Sequence, residues 1–417
     1  MSSSVNKIGP VHPAERILIM DAIRGFAILG IFIANLGAGF SYYDPSAENA
    51  GAFFHPADHR QFFWEHVLIE GKFYSIFSFL FGWGVALQLQ KNSRVSKSPV
   101  RLLRVRLTFM LLLGFFHLIL LWSGDIITFY ALVGFLLLAI RNRKTKYLFI
   151  AAIILILLPI LIYFLKMKFP LLNAPANWMF GAGDKLDKQL SGFTENYDFY
   201  DAVANANYWQ LIKLNISGAF LRFGDLFFQS RIWKVLGMFI LGYLLGRDKY
   251  YYTLLLKPGL LLTIAIAGFV IGLPANYLLA VHMEKHNDYY DLTQNGLVQT
   301  VYYALGVAPL AIGYISCFFL LNKTHVGKKL IRPFAAAGKM AFSNYIFQSL
   351  VGTIVFFGPG FGMINQVGPV YYTFFAIVVF SIQILASSFW LKYFEFGPVE
   401  WLWRSLTYRR IQVFKKK

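Results

Sequence analysis

Long apolar runs decide what this chain can fold into. Stretches of about 17–25 mainly apolar residues recur along nearly the whole sequence, the length a helix needs to cross roughly 30 Å of hydrocarbon at 1.5 Å per residue. Ten are placed, at approximately 23–40, 71–90, 105–121, 125–140, 147–166, 226–246, 258–281, 297–321, 340–357 and 370–391. Lipid offers backbone groups no hydrogen-bond partners, so such runs must satisfy their N–H and C=O groups within the segment. The expected fold is therefore all-α: a polytopic integral membrane bundle of about ten transmembrane helices. It forms one membrane domain over 1–417, with an N-terminal segment 1–22, an interfacial segment 167–225 and a basic tail 392–417.

Composition agrees. Of 417 residues, 57% are hydrophobic and 14% charged, more apolar surface than a soluble domain of this length could hide. The first run, preceded by Asp21 and Arg24 and followed by no convincing cleavage site, reads as an uncleaved first span. Cys317 is the sole cysteine and lies in an apolar run, which excludes an intrachain disulfide and a thiolate metal cluster.

The net charge of +19 would suggest nucleic acid in a soluble protein, so its location matters. With the N-terminus cytoplasmic, the segments on that side are 1–24, 91–106, 141–146, 247–257, 322–339 and 392–417. They hold 28 of the 39 Lys and Arg but 5 of the 20 Asp and Glu, the asymmetry that retains basic loops inside. Both termini are thus expected in the cytoplasm and nucleic acid is not an expected partner. Anionic lipid at the basic loops explains the charge without any substrate.

An ionisable residue within a span is costly unless paired or hydrated, so each deserves a functional and a structural reading. His117 lies in the outer part of the third span and Asp125 opens the fourth, across a tight turn at Trp122, Ser123 and Gly124. A carboxylate accepting one imidazole N–H fixes the tautomer and leaves the other nitrogen free as a general base. The structural alternative is that His117 bonds across the bundle while Asp125 caps the fourth span. Glu70 and Lys72 sit at the outer mouth of the second span, above Gly82 and Gly84, which allow close helix approach. Arg231 and Lys234 stand in the outer half of the sixth span, either holding an acidic or phosphorylated ligand or pairing with Asp225, Asp125 or Glu70. On the ninth span Asn344 and Gln348 are expected to face the bundle. The pairs His55 with His59 and His282 with His286 have helical metal-ligand spacing, but lie in loops, and no metal site is assigned to them.

Four stretches together carry a resemblance: MDAIRGFAILGIFIANL, EGKFYSIFSFLFGWG, the hairpin RLTFMLLLGFFHLILLWSGDIITFYALVG, and GKMAFSNYIFQS with GPVEWLWRSLTY. As a set they resemble the YeiB-like bacterial membrane proteins, domain of unknown function 418, over nearly the whole chain. That family is distantly similar to the transmembrane acyltransferases, which move acyl groups from a cytoplasmic thioester to an acceptor. The resemblance implies a bacterial cytoplasmic membrane and His117 as catalytic base with Asp125 orienting it. The expected co-substrate is an acyl-CoA, with no firmly bound cofactor, and the acceptor a cell-envelope glycan or lipid. Self-association into a homo-oligomer stays open. From Arg106 to His117 a helix rises roughly 16 Å, comparable to an extended pantetheine arm. Arg101, Arg104 and Arg106 could then hold the phosphates, with Glu70, Lys72, Arg231, Asn344 and Gln348 lining the substrate route. The oxyanion donor is left among Asn344, Tyr130 or a helix terminus. The rival class is a proton-coupled transporter or flippase using His117, Asp125, Glu70 and Arg231, and a third is a noncatalytic scaffold.

The orientation is testable. Cysteines introduced at positions 95 and 142 should be protected from an impermeant thiol reagent in intact cells, while those at 50 and 190 react; the opposite labelling pattern would reverse the topology.

Overall fold

The computed structural model describes residues 17–43, 53–95, 98–190 and 199–416. Most of the N-terminal segment, Lys97, part of the 184–201 stretch and Lys417 lie outside these. Among the described residues there is no named strand, only two isolated bridges, Phe53 with Val367 and Phe394 with Lys415.

The chain runs back and forth between two ends. α1 (Leu18–Asn35) continues through a π-helical turn, Leu36–Ser41, to the short α2 (Asp58–Leu68). α3 (Lys72–Val95), α4 (Pro99–Leu120), α5 (Ile127–Ile140) and α6 (Thr145–Lys168) follow as long antiparallel passes. α7 (Ala174–Leu190), α8 (Phe199–Asn205) and α9 (Tyr208–Phe228) form an intervening layer. α10 (Arg231–Arg247), α11 (Tyr250–Leu256), α12 (Pro258–Lys285) and α13 (Gln294–Leu321) come next. α14 (His325–Lys339), α15 (Ala341–Phe356), α16 (Pro369–Tyr393) and α17 (Pro398–Tyr408) complete the bundle.

Nine of the ten apolar stretches fall on helix to within a residue or two of its ends, whereas the sixth, 226–246, is broken at Gln229 and Ser230 between α9 and α10. Among the described residues six helices are both long and apolar enough to cross a membrane: α1 with its π turn, α4, α6, α12, α13 and α16. α5 and α15 are apolar but shorter. Large side chains stand exposed along them, including Phe116, Ile154, Val270 and Leu385, as lipid-facing helices require. The turns after α3, α5, α10 and α13 and the C-terminal segment gather at one end, which carries the basic clusters. The opposite end holds α2 and the α7–α9 layer, where Trp178 and Trp209 are exposed.

Glycines set the tightest crossings. A Cβ at Gly82 would fall 1.9 Å from the Phe239 carbonyl oxygen, and one at Gly242 1.8 Å from that of Phe79, so α3 and α10 meet backbone to backbone. α1 and α14 meet the same way, Gly25 against Phe334 and Gly338 against Asp21. Hydrocarbon supplies no hydrophobic force between helices, so such close van der Waals contact is what holds them. Gly84 makes no comparable crossing, its nearest neighbour being the Met20 side chain at 3.4 Å.

Replacing Gly82 by Ala should force α3 from α10 and cost about 1–3 kcal/mol or more, as overpacking does. Gly181→Ala, where nothing lies within 4 Å, should be neutral. Thermal unfolding of the two purified variants in detergent checks this; equal melting temperatures would show that the crossing does not limit stability.

Candidate functional site

The His117 and Asp125 side chains meet at the hairpin between α4 and α5. Asp125 sits just before α5 and accepts the amides of Ile127 at 3.1 Å and Thr128 at 2.6 Å, satisfying two N-terminal donors that hydrocarbon would otherwise leave orphaned. The same carboxylate lies 3.0 Å from Nδ1 of His117. Capping and pairing, the two readings open from sequence, are thus both realised. The pair is shut away from solvent, with side-chain exposures of 1% and 0%. Nδ1 is in contact but not aligned as a hydrogen bond, and among the described residues Nε2 has no hydrogen-bond partner. Resting catalytic contacts are commonly misaligned until substrate binds.

Tyr345 on α15 completes the group. Its ring centroid is 5.2 Å from that of His117, and its hydroxyl is buried beside the Ile126 backbone and Ser349. Arg222 on α9 stands within electrostatic reach of both Asp125 and Tyr345, and its Nε is buried without a partner. Among the described residues an imidazole with neither nitrogen hydrogen-bonded thus lies against one buried carboxylate, an arrangement that costs stability.

A cavity of about 770 Å³ opens at the basic end and reaches Tyr345, while His117 and Asp125 themselves stay outside its lining. Its mouth is lined by Arg24, Lys91, Arg94, Arg106, Lys249, Lys339 and Arg404. Its throat is apolar, with Ile28, Ile31, Phe77, Leu80, Leu107 and Met110, and its inner end is made by Ile126, Ile127, Tyr130 and Tyr345. Two acids in the lining are engaged locally. Asp21 bonds Arg24 at 2.8 Å, and Glu400 accepts the amides of Phe342 and Ser343 at 2.7 and 3.1 Å, capping α15. The mouth is left strongly electropositive.

The terminal EWLWR stretch shapes that mouth. Trp403 Nε1 donates to the Arg106 carbonyl at 2.9 Å, and the Arg106 guanidinium stacks over the Trp403 ring at 3.6 Å. Arg106 is so fixed in the cavity wall, whereas Arg101 and Arg104 are exposed on α4 outside the lining.

The remaining predicted residues fall elsewhere. Asn344 donates to the Ala337 carbonyl and to Ser387, and Gln348 to Gln383, so both face α16 as packing contacts. Tyr130 is occupied by Ser78 and the Tyr74 carbonyl. At the opposite end Glu70 pairs with His66, and Lys72, fully buried, donates to the His66 carbonyl. Of the three partners open to it, Arg231 takes Asp225, at 3.7 Å. His59 faces Glu284 at 3.6 Å, and His282 and His286 lie with centroids 4.6 Å apart. Among the described residues no three His, Cys, Asp or Glu converge as metal ligands do. Between the dyad and the opposite end, Trp122 stacks on Phe40 at 4.4 Å and donates to the Gly39 carbonyl.

Tyr345 and the mouth residue Arg404 were missed from sequence, and Arg24 was noted only as flanking the first span. Tyr345 neighbours the selected Asn344, but one residue turns a helix by about 100°, and that rotation carries it from α16 to the hairpin.

The chain is similar to proteins that carry no assigned activity. A family model described as "Protein of unknown function (DUF418)" matches residues 245–410. "Uncharacterized protein YxaH" of Bacillus subtilis (strain 168) is 32% identical over 425 residues, covering 99% of each chain. "Uncharacterized protein YeiB" of Escherichia coli (strain K12) is 30% identical over 408 residues, covering 95% of this chain and 97% of that one. An "Uncharacterized 39.9 kDa protein in amylase 3'region" of Bacillus acidopullulyticus is 27% identical, covering 96% of each. No solved structure matches. Full-length identity at this level, with the apolar helical architecture, places this membrane protein in the YeiB-like DUF418 family.

Proposed function

We propose that this chain is a transmembrane acyltransferase that moves an acyl group from a cytoplasmic acyl-CoA-type thioester to a hydroxyl or amine acceptor arriving from the other side. It crosses a bacterial cytoplasmic membrane ten times with both termini inside, which puts the basic end in the cytoplasm. The observation that carries this reading is the cavity, whose lining passes from a basic mouth through an apolar throat to Tyr345, the ring that packs against the His117 imidazole.

Each part has a chemical counterpart in the donor. Phosphates of a CoA suit the ring of guanidinium and ammonium groups, where charge-assisted bonds are strong. The pantetheine arm suits the throat, since the rise from Arg106 to His117 is roughly 16 Å. The thioester then comes to rest beneath Tyr345.

There the acceptor hydroxyl attacks the thioester carbonyl while His117 Nε2 takes its proton. Asp125 holds the ring through Nδ1 and stabilises the imidazolium. The Tyr345 hydroxyl, rather than Asn344 or Tyr130, donates to the oxyanion, because theirs are already spent. Collapse of the tetrahedral intermediate breaks the C–S bond, and the imidazolium returns its proton to the departing thiolate. An ester or amide and a free thiol result. The acceptor's entry requires the Trp122 and Phe40 stack to open.

In proteoliposomes supplied with radiolabelled acyl-CoA on one face, His117→Ala should lower transfer by about 10²–10⁴-fold and Tyr345→Phe by about 10²-fold. Arg106→Gln should chiefly raise KM for the donor. Undiminished turnover by His117→Ala would sink the catalytic assignment, and solute uptake without release of CoA would favour the transporter instead.

A further inference from the structure

A second charged cluster lies at the opposite end, where α9 hands over to α10. Arg222, Arg231 and Lys234 stand there with Asp225, and Glu70 and Lys72 lie beside them at the start of α3. Four cations thus face two carboxylates, and those carboxylates are largely spent. Glu70 is held by His66. Asp225 Oδ1 accepts Gln229 at 2.7 Å and Tyr290 at 2.6 Å, both neutral donors, while the arginines approach only to 3.5 and 3.7 Å.

The cations themselves keep unspent capacity. Lys72 is committed to the His66 carbonyl, and Arg231 to the Gln229 side chain at 2.6 and 3.2 Å. Arg222 Nε is buried with no partner. Among the described residues the Lys234 ammonium has neither a hydrogen bond nor an ion pair, and rests over the Tyr303 ring at 4.0 Å. Arg231 stands over Tyr74 in the same way, and the hydroxyls of Tyr74 and Tyr303 join at 2.7 Å. Cationic side chains held against aromatic faces, with the neighbouring carboxylates already engaged, favour an added anion. The cluster is not sealed: Arg222, Asp225 and Arg231 side chains are 15–25% exposed, and Tyr290 is 53% exposed.

We propose that Arg222, Arg231 and Lys234 form a binding site for a phosphate monoester at the end of the bundle opposite the cavity mouth. A phosphoryl group brings up to two negative charges and three terminal oxygens, which match the excess charge and the two guanidinium forks with one ammonium. That the anchored ligand is the acyl acceptor rests on the acyl-transfer reading; that it binds does not. The phosphoryl group belongs to a lipid headgroup or to a soluble ester, and the two are separated by experiment.

The full chain in neutral detergent is titrated, with no thioester present, with dioctanoyl phosphatidic acid and with glycerol 1-phosphate, against dioctanoylglycerol and glycerol as uncharged analogues. Wild type should bind at least one phosphate probe well above its neutral analogue. Lys234→Met, which keeps the packing on Tyr303, should weaken that binding about tenfold or more, and Lys234→Arg should restore most of it. Arg222→Gln serves as a second lesion should Lys234→Met not fold. Retention of the lipid alone or of the soluble ester alone supports the proposal and names the source. The proposal falls if neither phosphate probe is preferred, if folded Lys234→Met and Arg222→Gln bind as wild type, or if removing Lys328 and Lys329 at the basic end has the same effect. Loss of binding without any acyl transfer in wild type would keep this site and discard the acyltransferase.

Discussion

A carboxylate buried away from water needs hydrogen-bond donors, and Asp125 obtains two from the start of α5. The Ile127 and Thr128 amides are themselves obliged to find an acceptor, so helix end and carboxylate satisfy each other. This mutual need places the charge where the chain turns between α4 and α5, and His117, one short hairpin away, is brought against it. The tightness of that turn is secured from outside: Gly114 has no room for a Cβ beside Thr128, and the Leu121 carbonyl accepts Thr353 of α15. Tyr345 lies on the same helix as Thr353, so the bond that braces the hairpin also presents a phenol to the imidazole.

The same logic operates at the basic end. α15 begins after the break at Met340, and its first amides are taken by Glu400 from α17. Because Glu400 is held there, Trp403 falls under Arg106 and Arg404 into the cavity lining. A capping interaction thus gathers cations from α1, α4 and α17 around one opening, although these residues are far apart in sequence. The two ends differ in how their charge is disposed. Cations at the cavity mouth can be hydrated, whereas Arg231 and Lys234 lie against tyrosine faces and Lys166 is buried against the last carbonyls of α9. Close glycine crossings keep the scaffold between the ends rigid enough for both arrangements to persist.

The helices themselves were legible from one dimension. The 340–357 and 370–391 stretches return as Ala341–Phe356 and Pro369–Tyr393, because apolarity over a membrane thickness needs no knowledge of neighbours. His117 and Asp125 were legible for a related reason: a short hairpin leaves few ways for its two sides not to meet. Partners from distant segments were not. Arg101, Arg104 and Arg106 look equivalent in a basic loop, and only the docking of α17 separates the one that lines the cavity. Asn344 looked the more reactive neighbour of Tyr345, yet α16 consumes its donors. What the sequence by itself determined is the all-helical membrane architecture, the segregation of positive charge and the local dyad, all properties of composition or of residues close along the chain. What only the tertiary structure decided is which side of each helix faces the cavity, because that depends on crossings such as Gly25 on Gly338 and Gly82 on Phe239, where backbones from remote segments come close enough to set every rotation between them.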